Sequence, residues 1–164
     1  MNSIELLKHS TELSTFAFRS LAEDLVDQPL TRVSPRGNHA MWCVGHMALS
    51  DGMMVAALTQ GENPFQHWDS VFNSGAPLSD DDADYPSYAD VLDAFDQNRR
   101  VIVAGLDALT EADLGRPNPQ APEGFEEFFG TLGKVAASVP LHTMHHRGQL
   151  ADIRRALSRE PMMA

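Results

Sequence analysis

A single cysteine, Cys43, leaves this 164-residue chain no internal disulfide and fits a reducing compartment. No uninterrupted apolar run approaches the ~20 residues of a membrane span. The opening residues, MNSIELLKHS, lack the basic-then-apolar order of a secretory leader, so the expectation is a cytoplasmic protein with no membrane partner. Basic residues are few, 12 against 23 acidic ones. The resulting net charge of −11 favours solubility and argues against a nucleic-acid partner, which needs a positive surface. No stretch keeps the alternating pattern of a strand. Phosphate-binding glycine loops and nucleophile elbows are missing as well.

What is present has helical period. The composition, 43% hydrophobic and 21% charged, suits a globular chain, and the length suits one domain over residues 1–164. Residues 3 to about 26 carry Ile4, Leu7, Thr11, Ser14, Phe18, Leu21 and Leu25 at alternating spacings of three and four, with Leu13 and Phe16 widening the stripe. Asn38 is the expected N-cap of a second helix running to Thr59, with Trp42, His46, Leu49, Met53 and Ala56 inward. Between Gln60 and Pro86 the period fails. Phe65, Trp68, Val71 and Phe72 predict a short turn packed on the body, and SDDDAD predicts a solvated loop. Ser87 caps a third helix whose inner face is Tyr88, Val91, Phe95, Asn98, Ile102 and Leu109; Asn98 and Arg99 are placed at the edge of that stripe. A Pro- and Gly-rich loop, GRPNPQAPEG, and a short FEEFF segment lead to the last helix. Four helices with a longer middle crossover predict an all-α, antiparallel four-helix bundle.

The last helix, from about Leu132 to Leu157, is the informative one. Its stripe is Leu132, Val135, Val139, His142, His146, Gln149, Ile153 and Ala156. Pro140 removes one hydrogen bond within it and predicts a bend. Arg147, Arg154, Arg155 and Arg159 are read as cations offsetting the helix dipole. Four residues advance a helix by about 400°, so His142 and His146 project about 40° apart, one turn above the other. Polar groups on a core face need partners, since an unpaired one costs roughly 1–3 kcal/mol. His46 lies on the inward stripe of the second helix, and the three imidazoles together form a candidate metal site. Three protein ligands leave positions open for chemistry, and imidazole suits zinc, nickel or iron. Gln149 is a candidate to orient a histidine or a bound water, or equally a polar residue near the bundle end. Cys43, one turn before His46, is either a soft fourth ligand or, more plainly, a buried thiol. His145 is expected at the rim, and His9, His39 and His67 at the surface. A zinc protease would have Glu after the first histidine, where Thr143 stands; a di-iron bundle would have Glu-x-x-His pairs. No catalytic side chain beyond the ligands is identified.

The run Asn38-His39-Ala40-Met41-Trp42-Cys43-Val44-Gly45-His46, followed by His142-x-x-x-His146-Arg147-Gly148-Gln149 and Arg154-Arg155, resembles the DinB-like (YfiT-like) metalloenzyme superfamily. The phrases SYADVLDAF and LDALTEADL add to the likeness, which spans essentially the whole chain. The resemblance implies a four-helix bundle of up-down-down-up topology, pairing as a homodimer, with a divalent metal on His46, His142 and His146. Relatives of this kind include thiol-dependent S-transferases and a mycothiol-dependent maleylpyruvate isomerase. The function expected is therefore a metal-dependent S-transferase that uses a low-molecular-weight thiol as co-substrate with a small-molecule substrate. The alternatives are a metal-dependent hydrolase, for which no base is evident, and a non-catalytic metal-binding stress-response module.

Overall fold

The long helices begin at polar side chains that take up their free amides. Residues 1–160 and Met162 are described by the computed structural model. Asn2 caps Ser3–Asp24 (α1): its side chain accepts from the Glu5 amide at 2.8 Å, and Glu5 accepts from the Asn2 amide at 3.0 Å. Ala40–Thr59 (α2) is capped by His39 rather than by the expected Asn38. The His39 Nδ1 accepts from the Trp42 amide at 3.0 Å. After α2, a tight turn over Gln66–Trp68 leads into Asp69–Phe72 (α3), which places Phe72 fully in the core as the aromatic spacing predicts. Ser87 caps Tyr88–Asp107 (α4), accepting from the Asp90 amide at 3.1 Å. Glu126–Phe129 (α5) is one turn, and Thr131 caps Leu132–Ala156 (α6), which runs on through Pro140. Among the described residues there is no strand, only a single bridge between Pro117 and Thr131.

Contacts between helices give their directions. Along α2 and α4 the partners advance together: Ala48 with Asn98, Asp51 with Arg99, Leu58 with Gly105. Along α1 and α4 they run oppositely: Lys8 with Asp107, Arg19 with Asp96, Ala22 with Tyr88. The α2 and α6 helices are opposed too, Cys43 meeting Gln149 and His46 meeting His142. By contrast α1 and α6 run together: Leu7 packs on the cluster that includes Val135 and Val139 and shares a groove with Ala137, and Asp24 lies beside Arg154. The four directions are therefore up, down, down, up. The parallel neighbours α2 and α4 depart from a plain antiparallel order, and residues 60–87 are the crossover that permits it, returning the chain to the end where it began. Arg154 and Arg159 do more than face a helix terminus: both pair with Asp24 and tie the end of α6 to the end of α1.

Two apolar clusters fill the bundle. One gathers Phe18, Met41, Met47, Phe72, Phe95 and Leu150; the other gathers Met54, Ile102, Leu106, Val135 and Val139. Between them lies a polar layer of Thr11, Ser14, Asp51, Asn98, Arg99, Thr143 and the site histidines. Asn98 and Arg99 are thus buried, not at an edge. Their polar ends reach α2, where the Asn98 Nδ2 donates to the Ala48 carbonyl at 2.7 Å. Leu13 and Phe16 do not widen the buried α1 stripe: they stand 58% and 64% exposed, Leu13 along the groove towards α6 and Phe16 along the groove towards α4. Met53 and Ala156 are likewise exposed instead of inward.

By length and composition α2 could cross a membrane, contrary to the expectation from the whole sequence, with a mean hydropathy of 1.2 over its best window. That window is 78% buried within the bundle. Its apolar character is accounted for by its place at the centre, against α4 and α6.

Candidate metal centre

His46 enters from α2, and His142 and His146 enter from adjacent turns of α6. Their ligand-capable nitrogens all lie within 4.8 Å of one another. The His142 Nε2 stands 3.2 Å from the His46 Nε2 and 3.0 Å from the His146 Nε2. His46 and His146 are buried and His142 is half-buried.

The outer nitrogens decide the protonation of the inner ones. The His46 Nδ1 lies 2.8 Å from the Phe72 carbonyl, an obligate acceptor, so Nδ1 carries the proton and Nε2 presents a lone pair. The His146 Nδ1 donates to the Gln149 Oε1 at 3.0 Å. That same oxygen accepts from the Asn38 Nδ2 and the Cys43 Sγ, each at 3.2 Å, so all its partners are donors. The His146 Nε2 is therefore also a lone pair pointing inward. His142 can carry at most one proton on Nε2 when neutral. At least one of the two close nitrogen pairs then has no proton between its members. A cation at the centre removes that repulsion.

The donor set fits a divalent ion. A zinc–nitrogen bond of about 2.05 Å puts two tetrahedral ligand nitrogens roughly 3.3 Å apart, within a few tenths of the separations here. Burial depresses all three imidazoles, to about 3 for His142 and about 4 for His146, with mutual repulsion adding to the effect for His142. They are neutral ligands throughout the physiological range. The Trp42 indole stacks on His46 at 4.5 Å between centroids and 7° between planes, which holds the ring's tilt. Cys43 is no ligand in this arrangement: its Sγ turns to Gln149, and burial pushes the thiol well above its ordinary pKa.

The remaining histidines sort differently. His145 is exposed at the rim beside His146, and His9 and His67 are exposed. His39, expected at the surface, is fully buried. Its Nδ1 must be bare to accept from the Trp42 amide, so Nε2 carries the proton and faces the Ser79 carbonyl at 3.1 Å and the Tyr85 hydroxyl at 3.2 Å. It stitches the start of α2 to the crossover. Burial lowers its pKa to about 4.

Two features of the site have weak sequence signals or none. The Phe72 carbonyl is backbone and leaves no mark on the residue string. A buried ion pair also lies one residue from His142: the Arg99 Nε and Nη2 donate to the Asp51 carboxylate at 2.7 and 3.1 Å, and Nη2 also donates to the Thr143 Oγ1 at 2.7 Å. Its trace was legible, since Asp51 is the one charged residue of an apolar helix. Burial raises the Asp51 carboxyl to about 6 against the pull of Arg99. Beside His142 a cavity of about 430 Å³ opens between α2, α6 and the loop before α5. Ser50 lines it, with its Oγ 3.5 Å from the His46 Nε2.

The sequence pattern of the DinB superfamily matches residues 11–150. A crystal structure described as a conserved protein from Enterococcus faecalis is similar at a TM-score of 0.69 and 16% identity, covering 97% of this chain and 99% of that one. At that identity the likeness is one of fold. No curated protein matches the sequence.

Proposed function

The chain belongs to the DinB superfamily, and from that premise we propose that it is a metal-dependent enzyme joining a low-molecular-weight thiol to an electrophilic small molecule. One observation carries this reading: three neutral imidazoles converge where a cavity meets them, at His142. A divalent ion held by His46, His142 and His146 would supply Lewis acidity that favours thiolate over thiol at neutral pH. The protein's own groups do the rest. The Phe72 carbonyl and Gln149 aim the imidazole lone pairs, burial keeps the rings unprotonated, and the apolar wall beside His142 keeps water from competing. In the transfer, sulfur forms a bond to the electrophilic carbon, the leaving group departs with its electron pair, and the thiol proton passes to solvent.

Hydrolysis is less well supported, because the one carboxylate lining the cavity, Asp51, is held on both oxygens by Arg99 and offers no free base. A non-catalytic metal module leaves the cavity without a use. The test is to strip the protein with a chelator, reload it with zinc, nickel or iron(II), and screen a thiol panel against a model aryl halide by mass spectrometry. Conjugates that need both metal and protein support the reading; inertness of every metal-loaded form towards every thiol overturns it.

We also propose that two copies pair across the groove between α1 and α6, where Leu6, Leu13, Leu141 and Met144 stand exposed together. A two-fold axis there would set this apolar face against itself. Light scattering during gel filtration gives twice the chain mass if this holds, and a single-chain mass that persists at high concentration overturns it.

A further inference from the structure

We propose that the cavity beside His142 takes the uncharged, largely apolar body of a small molecule and rejects a carboxylate or phosphate carried along that body. This rests on the thiol-transfer reading in that the occupant is the electrophilic partner, but its binding can be measured alone. At about 430 Å³ the cavity lies within the roughly 300–1,000 Å³ of small-molecule sites. Its walls are Met54, Val135, Val139 and Phe129, with Met53 at the mouth. The polar groups in the wall are already engaged: the Ser138 Oγ donates to the Val135 carbonyl, and Asn118 donates to the Phe129 carbonyl while accepting from the Gln120 amide. Both are held by the protein itself, and neither brings a charge to a ligand.

Charge decides the class. No lysine or arginine lines the cavity. Arg99, behind it, has its donors on Asp51, Thr143 and Thr15. The one ionisable wall residue besides His142 is Asp51, an acid already paired with Arg99, and it offers an anion no partner. Away from the metal end, an anionic group carried along Val139 and Met54 would be desolvated without a counter-charge, a penalty of several kcal/mol. The remaining polar group, Ser50, sits at the end nearest the three histidines, its Oγ 3.5 Å from the His46 Nε2. The occupant is thus oriented with its reacting atom at that end and an apolar body along Val139 and Met54.

A matched pair of fluorescent probes tests this. N-phenyl-1-naphthylamine is uncharged, and 8-anilinonaphthalene-1-sulfonate is the same skeleton with a sulfonate. On the zinc-loaded protein the neutral probe is expected to bind at least tenfold more tightly. Met53→Arg, at a position 39% exposed, is expected to shrink that ratio at least tenfold, with helical circular dichroism and the cobalt(II) spectrum of the histidine site unchanged. Equal or tighter binding of the sulfonate, or a ratio indifferent to Met53→Arg, overturns the proposal. Conjugation assays separate it from the underlying reading. If 4-chloro-3-nitrobenzoate reacts as fast as neutral 1-chloro-2,4-dinitrobenzene, each losing chloride as the carbon–sulfur bond forms, the substrate class is wrong and thiol transfer stands. If the neutral probe binds as expected and no electrophile reacts with any thiol, thiol transfer falls and the cavity assignment stands.

Discussion

Which nitrogen of each imidazole holds its proton determines whether three histidines are a site or a crowd. Gln149 sets this for His146, so Gln149→Leu is expected to weaken zinc binding about 10–100-fold while the fold is retained, as read by competition with a chromogenic chelator. The depressed pKa values give the pH dependence. Three ordinary imidazoles near 6.5 would lose several hundred-fold in affinity, by order of magnitude, between pH 7 and 5.5. Here protons compete only as pH falls towards about 4 and 3 at His146 and His142, so the loss over that interval is expected to stay below about tenfold. A steep fall in a chelator titration would contradict this. The three ring positions were legible from stripe spacing alone, because a helix fixes which residues share a face. The Phe72 carbonyl that orients His46 was not, because a backbone oxygen belongs to no residue type.

The central helix shows how much one element carries. Gly45 of α2 allows the Phe72 ring to lie where a Cβ would come within 2.3 Å of it. Gly45→Ala must push α3 outward and with it the carbonyl that holds His46. A stability loss of about 1–3 kcal/mol is expected, together with weaker zinc binding, measured by urea denaturation and metal titration on one sample. At the start of the same helix His39 has a folded pKa near 4 against 6.5 unfolded, so its contribution is complete above pH 6.5 and is lost as pH falls through 4. The wild-type protein should lose about 2 kcal/mol more than His39→Asn between pH 7 and 5, since asparagine caps without titrating. Equal losses in urea melts would refute the assignment. Sequence placed this cap one residue early, on Asn38, because asparagine is a common cap and histidine a rare one; the choice was made by Ser79 and Tyr85, from forty or more residues away.

At the scale of the molecule, Arg99 joins all four long helices through Thr15, Asp51 and Thr143 and its own place in α4. Arg99→Leu leaves Asp51 buried and alone, and a loss of roughly 3–5 kcal/mol is expected in urea melts. The double change with Asp51→Leu should recover much of it; a double variant worse than Arg99→Leu would show that the pair is not the cause. Metal is linked to the same stability. Zinc at 100 times its dissociation constant should stabilise the fold by about 2.7 kcal/mol, or roughly 5–10 °C of melting temperature, and His142→Ala should abolish that rise. The sequence by itself determined where the long helices lie, which face of each turns inward and which three histidines can share a point, since local spacing fixes these. Only the tertiary structure decided that Arg99 is buried, that His39 is a cap, and that an apolar cavity meets the histidines. Each depends on segments distant in the chain, whose approach is set by packing and not by the period of any one helix.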